Sequence, residues 1–311
     1  MRAVGVMTYG GPEALELVDL PESHAGPGEV RLRVHAATVN PTDTYVRNGD
    51  RAAAQQDDPP PYVPGMDAAG VIDEVGDGVT GLAVGDRVMG IVVPKGSHGA
   101  YRESLVLPAE SVAAAPAGAS HAEASTLPMN GLTARLSLDL LGLEPGQTLA
   151  VTGSAGAYGG YVVQLAKADG LVVIADASEA DTALVTELGA DLVLARGDGF
   201  AAQVREHHPD GVDGLADGAV QNESVIGALR DGGSFTSVRG FKGAPQRDIN
   251  FSTTWVTKYA TAQAELDRLR QQAEDGQVTL RVAQTYPAAT ASESHRRLEA
   301  GGTRGRGVIE F

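Results

Sequence analysis

The residues of this chain best suited to chemistry are small ones. Between Thr152 and Gly160 the sequence reads Thr-Gly-Ser-Ala-Gly-Ala-Tyr-Gly-Gly. Backbone with so little side chain can approach an anion closely. A helix starting there offers N–H groups and the positive end of its dipole. Residues 147–176 around this turn have the ~30-residue length of a βαβ unit. The turn departs from the Gly-x-Gly-x-x-Gly pattern at its first position, which is Ser154. Gly156 would let a pyrophosphate come close, and Gly159 would let the helix pack tightly on the strand. Ser154, Ala155, Gly156, Ala157, Tyr158 and Gly159 are therefore the expected cradle of a dinucleotide; a purely structural glycine-rich turn is the competing reading. Asp176 ends the next strand, where an acid can bind a ribose 2′-hydroxyl and favour NAD(H). It could equally cap the following helix, as could Ser178.

Other chemistries are restricted by what the chain lacks. Its 311 residues include no cysteine, which excludes disulfides and thiolate-bound zinc. The seven histidines show no metal-like spacing, and His207-His208 read as solvent-facing. A formal charge of −16 argues against a nucleic-acid partner, which would need a basic face. No apolar run reaches the ~18 residues of a membrane span. Met1 to Val6 read as a strand rather than a signal peptide, so a cytoplasmic location is expected.

These residues need a scaffold, and the punctuation of the sequence supplies one. Up to about residue 120, short β-rich runs such as Val30–Ala36, Gly70–Val75, Arg87–Val93 and Tyr101–Val106 alternate with Gly/Pro turns. That pattern predicts an all-β barrel, with residues 48–64 as a proline-rich loop. Ser120 and Glu123 form a capping-box pair, Pro128 interrupts that helix, and Leu132, Leu136 and Leu140 share one face of the next. From residue 147 strands and helices alternate, predicting a parallel sheet covered on both faces. The later elements expected are a strand at 212–216, a helix from Ser224 to Arg230, a strand at 234–238, a helix near 261–274 and a closing helix–strand pair at 292–311.

The chain also resembles a known family along almost its whole length. The segments are Val39-Asn40-Pro41-Thr42-Asp43 with Tyr45 and Arg47, Val63-Pro64-Gly65-Met66-Asp67-Ala68-Ala69-Gly70-Val71, Val84-Gly85-Asp86-Arg87-Val88, His98-Gly99-Ala100-Tyr101, Gly131-Leu132-Thr133-Ala134, and the ending Arg304-Gly305-Arg306-Gly307-Val308-Ile309. In their order and spacing they resemble the zinc-independent medium-chain dehydrogenases/reductases, specifically the quinone oxidoreductase branch. The resemblance implies an α/β chain with a GroES-like β-barrel domain (1–121 and 276–311) and a Rossmann domain with a doubly wound parallel sheet (122–275). It implies NAD(P)H-dependent reduction of a quinone or an α,β-unsaturated carbonyl, and often a homodimer, for which an edge strand at 254–258 is the expected seam. Zinc members of the superfamily carry Gly-His-Glu where this chain has Gly65-Met66-Asp67, and residues 125–133 contain neither Cys nor His. No zinc is expected.

What the family implies for individual residues follows from hydride transfer, which leaves negative charge on the acceptor oxygen and calls for donors and a proton. Asn40, Tyr45 and Asn130 are the candidate catalytic residues: Asn40 as a donor or a turn brace, Tyr45 as an orienting group or acid, Asn130 against the nicotinamide. Thr133, Gly240 and Arg306, which replaces the family's closing Lys, are expected at the cofactor. Relatives that use NADPH hold its 2′-phosphate with a Ser and a Lys. This chain keeps Ser178 but has no Lys between 168 and 241, and Arg196 falls where an anion partner could replace it. NADPH is the expected cofactor, with NADH close behind. A non-redox tailoring enzyme or a dinucleotide-binding protein without turnover are the alternatives on the same fold.

Overall fold

The computed structural model describes all 311 residues, Met1–Phe311. The N-terminal part holds β1 (Arg2–Val6), β2 (Leu15–Asp19), β3 (Glu29–Thr38), α1 (Pro41–Asn48), β4 (Asp67–Val75), β5 (Arg87–Ile91), β6 (Ser104–Pro108), β7 (Val112–Ala114) and α2 (His121–Ser125). Then come α3 (Pro128–Leu141), β8 (Thr148–Thr152), α4 (Ala157–Ala168), β9 (Val172–Ala177), α5 (Thr182–Glu187), β10 (Leu192–Ala195), α6 (Phe200–His207), β11 (Val212–Asp217), β12 (Leu229–Ser237) and β13 (Asn250–Thr253). The chain closes with α7 (Gln263–Glu274), β14 (Val282–Pro287), α8 (Ala291–Glu299) and β15 (Arg306–Glu310). No helix is long and apolar enough to cross a membrane.

The elements form two compact units. One comprises Met1–Met129, Thr257–Glu274 and Leu280–Phe311. Its main sheet runs β14-β15-β3-β4-β5-β7, with β6 also paired to β3. The long strand β3 buries Val30, Leu32 and Val34, the alternate positions that a pleated strand directs to one face. They meet Ile72, Tyr101 and Leu105 in one apolar core. The barrel expected from the Gly/Pro rhythm is thus formed, but it is not all-β. Asn40-Pro41-Thr42-Asp43 opens α1, with Pro at the first turn and Asn40 and Asp43 in a reciprocal capping box. Helix α7 belongs to this unit rather than to the parallel-sheet region assigned to 122–275: Gln263 Nε2 donates to the carbonyls of Ala109 and Val112 at 3.0 and 2.8 Å.

The other unit comprises Asn130–Val256 and Asp275–Thr279. Its six-stranded sheet has the order β10-β9-β8-β11-β12-β13, and every pair is parallel. In order along the chain this is 3-2-1-4-5-6, the doubly wound arrangement whose direction of winding reverses between β8 and β11. Ligands of such sheets bind outside the carboxyl ends of the strands, at that reversal. Three details differ from the sequence expectation. Residues Phe200–His207 form α6, burying Phe200 and Val204 at helical spacing. The helix expected at 224–230 is a 3-10 segment, Asn222–Ala228, and Leu229 already begins β12. Three residues per turn puts Val225 and Ala228 on one face, and both are buried. The edge strand is Asn250–Thr253, not 254–258, because Thr254 is drawn inward and Val256–Tyr259 turns into a short 3-10 helix.

Candidate active site

The glycine turn stands at the carboxyl end of β8, beside the reversal of the sheet. Gly156 caps α4, and the first intrahelical bond runs from Gly160 N to Gly156 O at 3.0 Å. The N–H groups of Ala157, Tyr158 and Gly159 precede it and have no partner within the helix, the geometry that holds anions. Gly159 is where the turn is tightest. A Cβ there would stand 2.3 Å from Gly153 O and 2.8 Å from Ser154 Cα, both backbone atoms. At Gly156 a Cβ would meet only Gly153 O, at 3.1 Å.

Two expected cradle residues serve the turn from inside. Ser154 is fully buried, its Oγ donating to Val151 O at 3.0 Å. Its N–H donates to Asp176 Oδ1, also at 3.0 Å. Asp176 therefore braces the glycine turn, a role that the ribose and helix-cap readings both missed. Burial raises its pKa, and the hydrogen bonds from Ser154 partly offset that rise. The ring of Tyr158 packs on Gly218, and its hydroxyl meets Ser137 Oγ at 2.8 Å. Ser137 Oγ in turn contacts Thr254 Oγ1 at 2.9 Å and donates to Thr133 O at 2.9 Å. Burial raises the Tyr158 phenol well above its ordinary range, so it remains neutral.

Facing the turn, Asp217 ends β11 and clamps the loop after it. It accepts from Thr152 Oγ1 at 2.6 Å, Gln221 N at 3.1 Å and Asn222 N at 2.7 Å. The clamp holds Val220 and Asn222 at φ 58° and 53°, a left-handed backbone that is costly for a branched residue such as Val. Asn130 and Thr133 lie on the first turns of α3, both buried. Gly240 lies in the loop after β12. Ser178 Oγ donates to Asp181 Oδ2 at 2.5 Å, while Arg196 is exposed and lowers the Asp176 pKa through its charge.

In the barrel unit the expected residues gather around two buried acids. Asn40 is fully buried. Its Nδ2 donates to Asp67 Oδ2 at 2.6 Å, and its Oδ1 accepts from Arg306 Nη2. The carboxamide is thus engaged at both ends, so Asn40 is a brace for Arg306 and not the oxyanion donor considered from the sequence. Asp67 Oδ1 also accepts from Met129 N at 2.5 Å. Asp43 accepts from Asn40 N at 2.7 Å, Gly65 N at 3.0 Å and Tyr101 Oη at 3.0 Å. Burial pushes the Asp43 carboxyl up to about 6 and the Asp67 carboxyl up to about 7, with their hydrogen bonds and Arg306 pulling the other way. Tyr45 is half-buried on α1. Arg306 lines a cavity of about 280 Å³ that also touches Val39, Tyr286, Arg297 and Arg304.

A part of this network escaped the sequence reading altogether. His295, fully buried on α8, approaches Tyr101 Oη with Nε2 at 3.2 Å and Arg47 Nη1 with Nδ1 at 3.2 Å. The guanidinium can only donate, so Nδ1 accepts and the ring proton lies on Nε2, directed at Tyr101. Burial, helped by the charge of Arg47, lowers the His295 pKa to about 3. The histidine is thus neutral when folded and protonates below about 6.5 when unfolded. Stability from His295 is therefore complete above about 6.5 and is lost as pH falls towards 3. The expected stability advantage of wild type over His295→Gln shrinks by about 1.4 kcal/mol per pH unit across that window. Parallel urea titrations at several pH values check it, and a constant advantage would refute it.

Zinc-holding relatives raise the question of whether these residues fit that metal. They do not match a Cys/His/Glu centre. The chain has no cysteine, both Asp67 oxygens accept N–H donors, and no three His, Asp or Glu side chains gather as a ligand group.

Comparison with known proteins places the chain in a family. Residues 26–117 match the alcohol dehydrogenase GroES-like domain, and residues 188–309 match a domain described as zinc-binding dehydrogenase. A quinone oxidoreductase of Pseudomonas aeruginosa is 30% identical over 336 residues, covering 99% of each chain. The 2-methylene-furan-3-one reductase of Solanum lycopersicum is 33% identical over 250 residues, 77% of this chain and 62% of its own length. Among solved structures, an NAD-dependent alcohol dehydrogenase superposes with a TM-score of 0.88 at 32% identity, covering 100% of both chains. A mycobacterial protein solved in complex with NADPH does so with a TM-score of 0.86 at 28% identity, again over 100% of both.

Proposed function

Since this chain belongs to the medium-chain dehydrogenase/reductase family, among its quinone oxidoreductase-like members, we propose that it is an NAD(P)H-dependent reductase of quinones or α,β-unsaturated carbonyls that works without zinc. The observation that carries this reading is the glycine turn at the sheet's reversal. Its small residues, helix N-terminus and Asp176 brace suit the pyrophosphate of a dinucleotide. When bound, the reduced nicotinamide supplies a hydride, and one proton, delivered by Tyr45 or directly by water, completes the reduced product.

The chain's own residues then bind and orient. Ala157, Tyr158 and Gly159 offer N–H groups to the pyrophosphate, and the Tyr158–Ser137–Thr254 hydroxyl chain fixes the start of α4. Ala155, Gly156, Thr133, Asn130 and Gly240 complete the cofactor side. Arg306, held by Asn40, is a fixed cation for a cofactor phosphate. Ser178 and Arg196 are the candidates for a 2′-phosphate. Asp181, bonded to Ser178, and nearby Asp176 oppose a dianion there, so NADH should compete well with NADPH. Tyr45 is the one phenol proposed as a proton donor or orienting group on the acceptor side. A small-molecule acceptor and a homodimer are the proposed partners.

The test is to titrate purified protein with NADPH and with NADH, then follow cofactor oxidation with a panel of quinones and enones. Binding followed by oxidation is expected. Binding without oxidation would favour a non-redox enzyme or a binding protein. Tyr45→Phe should cut turnover by roughly tenfold if the phenol donates the proton, a modest share of the range for general acids. Unchanged turnover with a good enone removes that role.

A further inference from the structure

The chain has one tryptophan, and it stands in the open: Trp255 is 49% exposed. Burying a side chain of this size is strongly favourable, so the fold forgoes a large apolar contribution here. The residue is not on a loose loop. It directly follows Thr254, whose N–H donates to Ser237 O at 3.1 Å and whose Oγ1 meets Ser137 Oγ at 2.9 Å. Through Ser137 the same hydroxyl chain reaches Tyr158 on the helix of the glycine turn. The indole is therefore mounted on the frame that carries the cofactor cradle. Its Cζ2 and Cη2 atoms pass Gly240, where a Cβ would stand 3.4 and 3.8 Å from them.

Position adds a second argument. Trp255 and Gly240 lie at the carboxyl ends of β13 and β12, the side of a doubly wound sheet on which ligands bind. Such a sheet is built from two halves, each taking one mononucleotide of the dinucleotide. The β8–β10 half holds the glycine turn and Asp176. The β11–β13 half, which carries Trp255, takes the other nucleotide and so faces the reacting end.

We propose that Trp255, with Gly240 beside it, forms an acceptor subsite for a planar, electron-poor ring, and that this ring is a quinone. Indole has the most electron-rich face among the side chains, and a quinone is an electron-deficient ring of matching width. Offset stacking suits that pair. An acyclic enone or an enoyl thioester has no ring to stack. The inference rests on the reductase reading and narrows its acceptor class.

Because Trp255 is the sole tryptophan, it reports on its own occupancy. Adding a benzoquinone to the protein, with correction for quinone absorbance, should quench the intrinsic tryptophan emission saturably. In steady-state assays, Trp255→Ala should raise the ratio of benzoquinone KM to acyclic-enone KM by about fivefold to tenfold, the scale of one aromatic stack. Trp255→Phe should restore most of it. Equal changes for both acceptors would overturn the proposal, as would a change in oligomeric mass that accounts for the effect, or no quenching at quinone concentrations that saturate turnover. If wild type oxidises neither NADPH nor NADH, the reductase reading fails, and the quenching experiment still decides whether a quinone occupies Trp255.

Discussion

Gly159→Ala is expected to remove cofactor binding while Gly156→Ala only weakens it. The added methyl at 159 would sit 2.3 Å from Gly153 O and 2.7 Å from Gly153 C, and neither can yield without unfolding the turn. Overpacking of a backbone contact costs about 1–3 kcal/mol even where the structure relaxes. Here relaxation means pushing α4 away from the strand end, which displaces the N–H groups of Ala157, Tyr158 and Gly159 from the anion. We expect cofactor affinity to fall by roughly 100-fold or more, about 2.7 kcal/mol. At Gly156 the one contact, 3.1 Å from Gly153 O, is tight but needs only a few tenths of an ångström of give, so its alanine variant should fold and lose affinity by only about tenfold. Titration by nicotinamide fluorescence gives both numbers. Equal losses for the two variants would mean that the turn is not built around Gly159 in the way described.

The second large effect concerns stability. Asp43→Ala removes one acceptor from three buried donors: Asn40 N, Gly65 N and Tyr101 Oη. A buried donor left unsatisfied costs about 1–3 kcal/mol. We expect a loss of roughly 4 kcal/mol, in the exceptional range for a single substitution. Tyr101→Phe removes one donor from Asp43 and leaves the His295 Nε2–H without its acceptor, so it should cost about 2 kcal/mol. Urea unfolding followed by circular dichroism measures both. An Asp43→Ala loss below that of Tyr101→Phe would show that the carboxylate is not the centre of the network.

The fold was readable wherever the signal was local. The strand–turn–helix rhythm from residue 147 onward marks the parallel sheet because each βαβ unit carries its own glycine and its own apolar period. Helix α1 was also within reach: Asn40-Pro41-x-Asp43 is an N-cap, a first-turn proline and a third-position acid, yet the surrounding β-rich runs concealed it. The acid network was not readable. Arg306 and Asn40 are 266 positions apart, Tyr101 and His295 194, Asn40 and Asp67 27, and no periodicity connects them. For the same reason the sequence offers Asp176 as a ribose ligand or a helix cap and not as a brace of the turn. Its position at a strand end is local information, whereas its bond to Ser154 N depends on how the turn folds back over the sheet. Tyr158 is the one bulky residue of the turn, and only the packing on Gly218 shows where its ring goes.

The central claim is that this chain passes a hydride from a nicotinamide to an acceptor ring without a metal. It is tested most directly by mixing chelator-treated protein with NADPH or NADH and a benzoquinone, and following nicotinamide absorbance and hydroquinone together. The account predicts saturable cofactor binding and loss of one reduced nicotinamide for each hydroquinone formed, at a rate unaffected by the chelator. Failure to bind either cofactor, or activity that returns only on adding zinc, would contradict it.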